Sequence, residues 1–291
     1  MTKFLLASPI LVLSLVLTHR PAAAGDVGTS ADFKGPTGLQ LYSLRDMQSA
    51  KGPAAVLDQA RAYGFKYVEL SGRGKLTPAE YKAQLDRRGL VPIGTMFPYE
   101  RLRDDIEGIA REVKDLSLLY VGCAWIPHKG PFDEKTCRAA AAVFNQAAAA
   151  LAKHGIRFFY HTHGYEFQPH AQGTLFDLLA AETDAKTVFF EMDVLWVVLP
   201  GQDPVKLLEK YPERWRLMHL KDLKKGVPLG NHSASTALTN DVAIGAGQVD
   251  WTGLLRAAQK VGVQYYFIED ESPHAVEQIP QSLRFLESIR W

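Results

Sequence analysis

Short apolar runs recur along the chain at Leu39–Leu44, Tyr67–Leu70, Val91–Phe97, Leu118–Ala124, Ile156–His161, Thr187–Val194, Arg216–Lys221 and Tyr265–Glu269. Runs of this length, apolar rather than alternating, predict parallel strands buried on both faces. Between them the period changes. Leu102, Ile106, Ile109, Ala110 and Val113 make one apolar face, and Trp251, Leu254, Leu255, Ala258 and Val261 another. Both follow the 3.6-residue spacing of an amphipathic helix. Thr77-Pro78-Ala79-Glu80 has the capping-box pattern with Pro in the first turn, and Asp203-Pro204 is a similar start. Gly64, Gly89, Gly155 and Gly262 each stand between a helical stretch and the next strand. A Gly there can take the left-handed conformation that closes a helix.

Eight strand–helix units without a compositional break predict an α/β fold, a single-domain (β/α)8 TIM barrel over residues 38–291. The rival, a doubly wound open sheet, usually carries a Gly-rich phosphate loop after its first strand. Here that position reads Ser43-Leu44-Arg45-Asp46. Residues 224–247 form a long Gly-, Ser- and Asn-rich connection after the seventh strand. In a barrel it lies on the catalytic face, where such a loop serves as a lid or binding loop, or is a mobile surface insertion.

Residues 1–24 read as a cleaved signal peptide: a positive start at Lys3, an apolar run from Phe4 to Leu17, and Ala22-Ala23-Ala24 before the cut. The apolar run is shorter than the about 20 residues a membrane span needs. Residues 25–37 are then an N-terminal extension, and the expected location is periplasmic or secreted, with no membrane association after cleavage. Export would permit a bond between Cys123 and Cys137, but two buried free thiols is the preferred reading. The chain is 47% hydrophobic and 22% charged, with a net charge of +1. That balance is ordinary for a globular domain and supplies no global attraction to nucleic acid.

Chemistry gathers at the ends of the last four strands: His161-Thr162-His163 through Glu166, Glu191-Met192-Asp193, His219-Leu220-Lys221-Asp222 and Glu269-Asp270-Glu271. Alternate residues of a barrel strand share a side, so His161 goes with His163, Glu191 with Asp193, His219 with Lys221, and Glu269 with Glu271. Such groups are costly in a packed interior unless paired or bound to metal. A His/Asp/His/Glu set suits one divalent ion, with Mn first and Zn or Co as alternatives. Each residue also has a plain structural role available: a satisfied histidine, an Asp capping a helix, Lys221 paired with Glu191 or Asp193. The same event at four successive strand ends argues for a site.

These stretches, with Gly38–Ser43, Tyr67–Leu70, Glu191–Trp196 and Gly247–Trp251, resemble the xylose isomerase-like TIM-barrel superfamily of sugar isomerases and epimerases over residues 38–289. The resemblance implies that His161, Asp193, His219 and Glu269 hold the metal. Sugar epimerases of this kind usually have Glu at the position of His161, where it is one of two acid/base carboxylates. His161 and the His-Leu-Lys-Asp stretch are similar instead to a branch that includes inosose dehydratase, which gives lyase or dehydratase chemistry more weight.

The chemistry expected is removal of a proton α to the carbonyl of a keto sugar, giving an enediolate. Returning the proton elsewhere isomerises or epimerises; loss of a β-substituent eliminates. The candidate bases are His163, Lys221 and Glu269. Gln40, Tyr42, Glu69, Trp125, Glu166, Glu191 and Trp196 are candidate substrate-binding residues, with Tyr42, Trp125 and Trp196 able to stack on a sugar or simply to pack. An exported enzyme would meet unphosphorylated sugars, and elimination from a 3-keto-glycoside is the sharpest version. The alternative is a non-catalytic periplasmic sugar-binding barrel. An endonuclease is disfavoured by charge and export. The expected partner is a small carbohydrate, not nucleic acid; homo-oligomerisation is left open.

Overall fold

A computed structural model describes residues 27–291, so the expected signal peptide lies outside the described residues. Eight parallel strands close into a barrel: β1 (Thr37–Gln40), β2 (Tyr67–Leu70), β3 (Val91–Met96), β4 (Tyr120–Cys123), β5 (Arg157–His161), β6 (Val188–Asp193), β7 (Trp215–Leu220) and β8 (Tyr265–Ile268). Each pairs with its neighbours in sequence, and β1 closes the ring against β8. Helices cover the outside, and the main apolar core lies between them and the barrel. Of the extension, Phe33 is fully buried and meets the ring of Tyr266 edge-on at 5.0 Å.

The strand expected over Leu39–Leu44 is corrected: β1 stops at Gln40, and Leu41–Leu44 is a turn of 3-10 helix. The Gln40 side chain accepts the Tyr42 N–H at 3.1 Å, which caps that turn and ends the strand. The helical face from Leu102 to Val113 is divided between two helices, Tyr99–Asp104 and Ile106–Leu116. Asp105 leaves helical geometry between them (φ −139°, ψ 43°). The Thr77–Glu80 capping box forms in full, and Gly64, Gly89, Gly155 and Gly262 all have positive φ.

Residues 224–247 are pinned at both ends. Asp222–Leu223 pairs antiparallel with Asp241–Val242. The buried Asp222 carboxylate accepts the N–H of Gly245 (2.8 Å), Gly247 (3.0 Å) and the Trp251 indole (2.8 Å). A Cβ at Gly247 would lie 2.1 Å from Asp222 Oδ1, so only glycine fits.

The barrel interior has two storeys. The lower is filled by Ile93, Tyr120, Phe159, Leu217 and Phe267, with Tyr67, Phe189 and Tyr265 around them. Gly122 faces the Phe159 ring so closely that a Cβ would come within 2.3 Å of it. Two residues further along the same strands stand His161, His219, Glu269, Glu69 and Glu191, all buried.

Candidate metal centre and adjoining cavity

Strand register decides which upper-storey groups meet. His161 of β5 is level with Glu191 of β6, and Asp193 is level with His219 of β7. His161 Nδ1 donates to Glu191 Oε2 at 2.9 Å, which turns Nε2 toward Asp193 Oδ2, 3.9 Å away. His219 Nε2 donates to Glu69 Oε2 at 2.6 Å, while Nδ1 lies 3.0 Å from Glu269 Oε2 and 4.0 Å from Asp193 Oδ2. Gln40 Nε2 donates to the same Glu69 oxygen and fixes that carboxylate in turn. Both imidazoles are therefore held from behind by buried carboxylates and present their other nitrogen to one point. Metal-binding histidines are commonly oriented in this way.

One donor atom each from His161, Asp193, His219 and Glu269 lies within 4.8 Å of the others. Ligands at roughly 2.0–2.2 Å from an ion stand about 3–4 Å apart, so the ring is near the size required. Asp193 Oδ1 caps the helix Val194–Val198 by accepting the Trp196 N–H at 3.1 Å, which leaves Oδ2 with no hydrogen bond although it is fully buried. The roles of cap and ligand are thus compatible: one oxygen does the first, and the other, without a hydrogen bond and 3.3 Å from the Lys221 ammonium, is placed for the second.

The local charge is unbalanced toward the negative. Burial, and then repulsion from Glu69, pushes Glu191 up to about 8. Burial raises Asp193 to about 6, against the pull of Lys221. Burial alone would depress His219, but Glu191, Glu269 and Glu69 together hold it well above the usual histidine range. Glu269 lies well below the carboxylate range because Lys221 and His219 outweigh its burial. A divalent cation would take the place of the His219 proton facing Glu269, as metal binding to such sites generally displaces protons. Donor type, spacing and the buried Asp193 Oδ2, which has no hydrogen bond and an ion-pair contact with Lys221 at 3.3 Å, all fit a divalent ion.

Lys221, a candidate base, makes the ion pair with Asp193 that was its alternative role. Its ammonium contacts Glu271 (2.6 Å), Glu269 (2.7 Å) and Asp193 (3.3 Å), not Glu191. Burial opposes its charge, yet these carboxylates hold it well above the ordinary lysine range. His163 is different. It lines the cavity, its Nδ1 is buried without a partner, and burial with the nearby Lys221 charge lowers it to about 4, so it is neutral.

The cavity above the ring measures about 510 Å³ and is lined by Gln40, Tyr42, Thr95, His161, His163, His219, Glu269 and Glu271, among others. Of the expected substrate-binding residues, Gln40 and Tyr42 face it. Glu69, Glu191 and Glu166 are fully buried and do not line it. The first two form the floor behind the imidazoles. Glu166 accepts the His163 N–H at 2.9 Å and thereby fixes that segment. Trp196 is also buried, packed beside His163 at 6.0 Å. Trp125 walls a neighbouring groove.

Two contributors have no role assigned from the sequence. Glu271, two residues after Glu269, was legible from strand parity alone. Asp241, which accepts the Glu271 N–H at 2.6 Å, enters only because the long connection folds back. Cys123 and Cys137 are free and buried, as preferred.

The family profile of the xylose isomerase-like TIM barrel matches residues 57–289. Inosose dehydratase of Geobacillus kaustophilus (strain HTA426) is 25% identical over 195 residues, covering 59% of this chain and 62% of that protein. The match thus spans less than two thirds of that relative. A sugar phosphate isomerase/epimerase from Parabacteroides distasonis ATCC 8503 superposes with a TM-score of 0.70 at 24% identity, over 90% of this chain and 96% of its own. The IOLI protein, solved with a bound zinc atom, superposes with a TM-score of 0.65 at 12% identity, over 86% of this chain and 95% of its own. These structural likenesses show a shared fold.

Proposed function

The chain belongs to the xylose isomerase-like TIM-barrel family, and from that premise we propose that it is a metal-dependent carbohydrate enzyme acting on a keto sugar or 3-keto-glycoside. The observation that carries the proposal is the buried ring of His161, Asp193, His219 and Glu269, braced by Glu69 and Glu191 and open to a cavity of about 510 Å³. The ion is Mn in the first instance, with Zn or Co as alternatives. When bound, it supplies Lewis acidity to the carbonyl and hydroxyl oxygens of the sugar.

The chain's own groups do the rest. His163, whose neutral ring lines the cavity and whose buried Nδ1 has no hydrogen-bond partner, takes the proton from the carbon α to the carbonyl. The electron pair left behind forms an enediolate. The Lys221 ammonium, fixed among three carboxylates, adds a positive field to the site as negative charge develops on the sugar. Return of the proton from His163 to a neighbouring carbon gives isomerisation, and return to the opposite face gives epimerisation. Loss of a β-substituent, which leaves with a proton, gives elimination. His161 in place of a carboxylate removes one of the two bases that epimerisation uses, which favours elimination. Export through residues 1–24 would place the enzyme among unphosphorylated glycosides.

The test is solvent exchange. In D2O, Mn-loaded enzyme is expected to introduce deuterium α to the carbonyl of a 3-keto-glycoside and release the aglycone, and His163→Ala to slow both at least 100-fold. Turnover of ordinary ketoses with none of 3-keto-glycosides would sink the elimination version; exchange with neither would sink the enzyme reading. One observation favours a non-catalytic sugar-binding barrel: Lys221 already neutralises Asp193 and Glu269 without an ion. Sugar binding with neither metal uptake nor exchange would establish it.

A further inference from the structure

Beside the central cavity lies a second groove of about 500 Å³. One wall is aromatic: Trp125, His128 and Phe132 from the segment after β4, and Tyr165 from the segment after β5. Polar lining comes from Gln168 and from His232 to Ser235 of the long connection.

The aromatic wall is rigid. Trp125 and His128 stack at 5.2 Å with 21° between their planes, and Tyr165 lies 5.1 Å from Trp125, 4.7 Å from His128 and 5.0 Å from Phe132. Polar contacts lock it: the Tyr165 hydroxyl accepts the Ile126 N–H at 3.0 Å and the Tyr160 hydroxyl at 2.9 Å, and His128 Nδ1 bonds the Ile126 carbonyl at 2.7 Å. Yet Trp125 is 45% exposed. A large aromatic held in place and left open to solvent marks a binding surface. It adjoins the central site: the Trp125 ring meets His163 edge-on at 5.9 Å, and His163 lines the metal-side cavity.

We infer that this groove binds a second ring, carried on the glycosidic oxygen of the same substrate molecule, with one face flat on Trp125 and its polar edge toward the long connection. The lining argues for a ring: aromatic side chains stand together with hydroxyl, amide and imidazole groups, which suits a flat body with a polar rim. The inference rests on the sugar reading of the central cavity and deepens it. A free monosaccharide would leave the groove empty, so the preferred substrates are two-ring glycosides. The second ring is a sugar or an aryl group; both present the same apolar face.

Calorimetric titration of the purified, metal-loaded protein with methyl β-glucoside, phenyl β-glucoside and cellobiose tests this without any turnover. The expected result is roughly fivefold to tenfold tighter binding of a two-ring ligand than of methyl β-glucoside. An advantage confined to cellobiose assigns a sugar ring, and one confined to phenyl β-glucoside an aryl ring; either supports the groove. Trp125→Ala is expected to bring the affinity ratio near one, and Trp125→Phe to keep most of it. Equal binding of all three ligands by the wild type, no binding of either two-ring ligand, or a ratio that survives Trp125→Ala would overturn the inference. Absence of deuterium exchange with the ratio intact would sink the proposed reaction and leave the groove standing.

Discussion

The two storeys of the barrel interior are built by the same strands and obey opposite rules. Tyr67, Phe159, Phe189, Leu217 and Phe267 make the lower storey an apolar packed layer. Glu69, His161, Glu191, His219 and Glu269, each two residues further along, make the upper storey a buried concentration of charge. The lower storey gains stability by excluding water from apolar surface. The upper one is costly by the same measure, since buried charges need partners. It persists because each charge is paired or faces the point where a cation belongs. A barrel can keep such a layer only where a well-packed one beneath it sets the register.

The largest expected effect tests the division directly. Phe159→Ala empties part of the lower storey, and Gly122 opposite has no side chain to fill the gap. It is expected to lower unfolding stability by about 3–5 kcal/mol in denaturant titration while the folded protein keeps its metal stoichiometry. Loss of metal from the folded variant would mean that the storeys are not separable. Next come the carboxylates behind the imidazoles. Glu191→Gln and Glu69→Gln keep the shape but weaken the brace on His161 and His219, and should raise the metal dissociation constant roughly 10–100-fold in competition with a chelator. An unchanged constant would reduce these groups to packing.

The smallest effect concerns Glu166, which burial raises from an ordinary 4.5 to about 7. A carboxyl whose folded pKa is raised binds its proton more tightly when folded. Its share of stability is therefore present below the unfolded value and lost as pH climbs from about 4.5 to about 7. Glu166→Gln is expected to remove up to roughly 1 kcal/mol per pH unit of that slope, read from unfolding midpoints across the window. An identical slope in the variant would show that Glu166 does not titrate there.

Much of this was legible in the sequence because it depends on parity and punctuation. The eight apolar runs lie where the strands lie, and the two-residue alternation put His161 with His163 and Glu191 with Asp193 before any coordinates. What escaped depends on folding at a distance. Gln40 ends β1 by capping the next turn, which an apolar run through Leu44 conceals. Lys221 reads equally as a base or an ion pair because its three carboxylate partners come from two other strands. Glu166 and Glu191 looked like substrate ligands, whereas depth within the barrel makes them supports for His163 and His161. Asp241 reaches Glu271 only because Asp222 ties down a connection with no periodicity of its own.

The central claim is that the upper storey is a metal site, and metal analysis tests it most directly. The wild-type protein, loaded with Mn, Zn or Co and freed of excess, is to be compared with His219→Ala and Asp193→Ala. The account predicts about one ion per chain in the wild type and less than a tenth of that in both variants. No ion retained by the wild type with any of the three metals, or full retention in both variants, would contradict it.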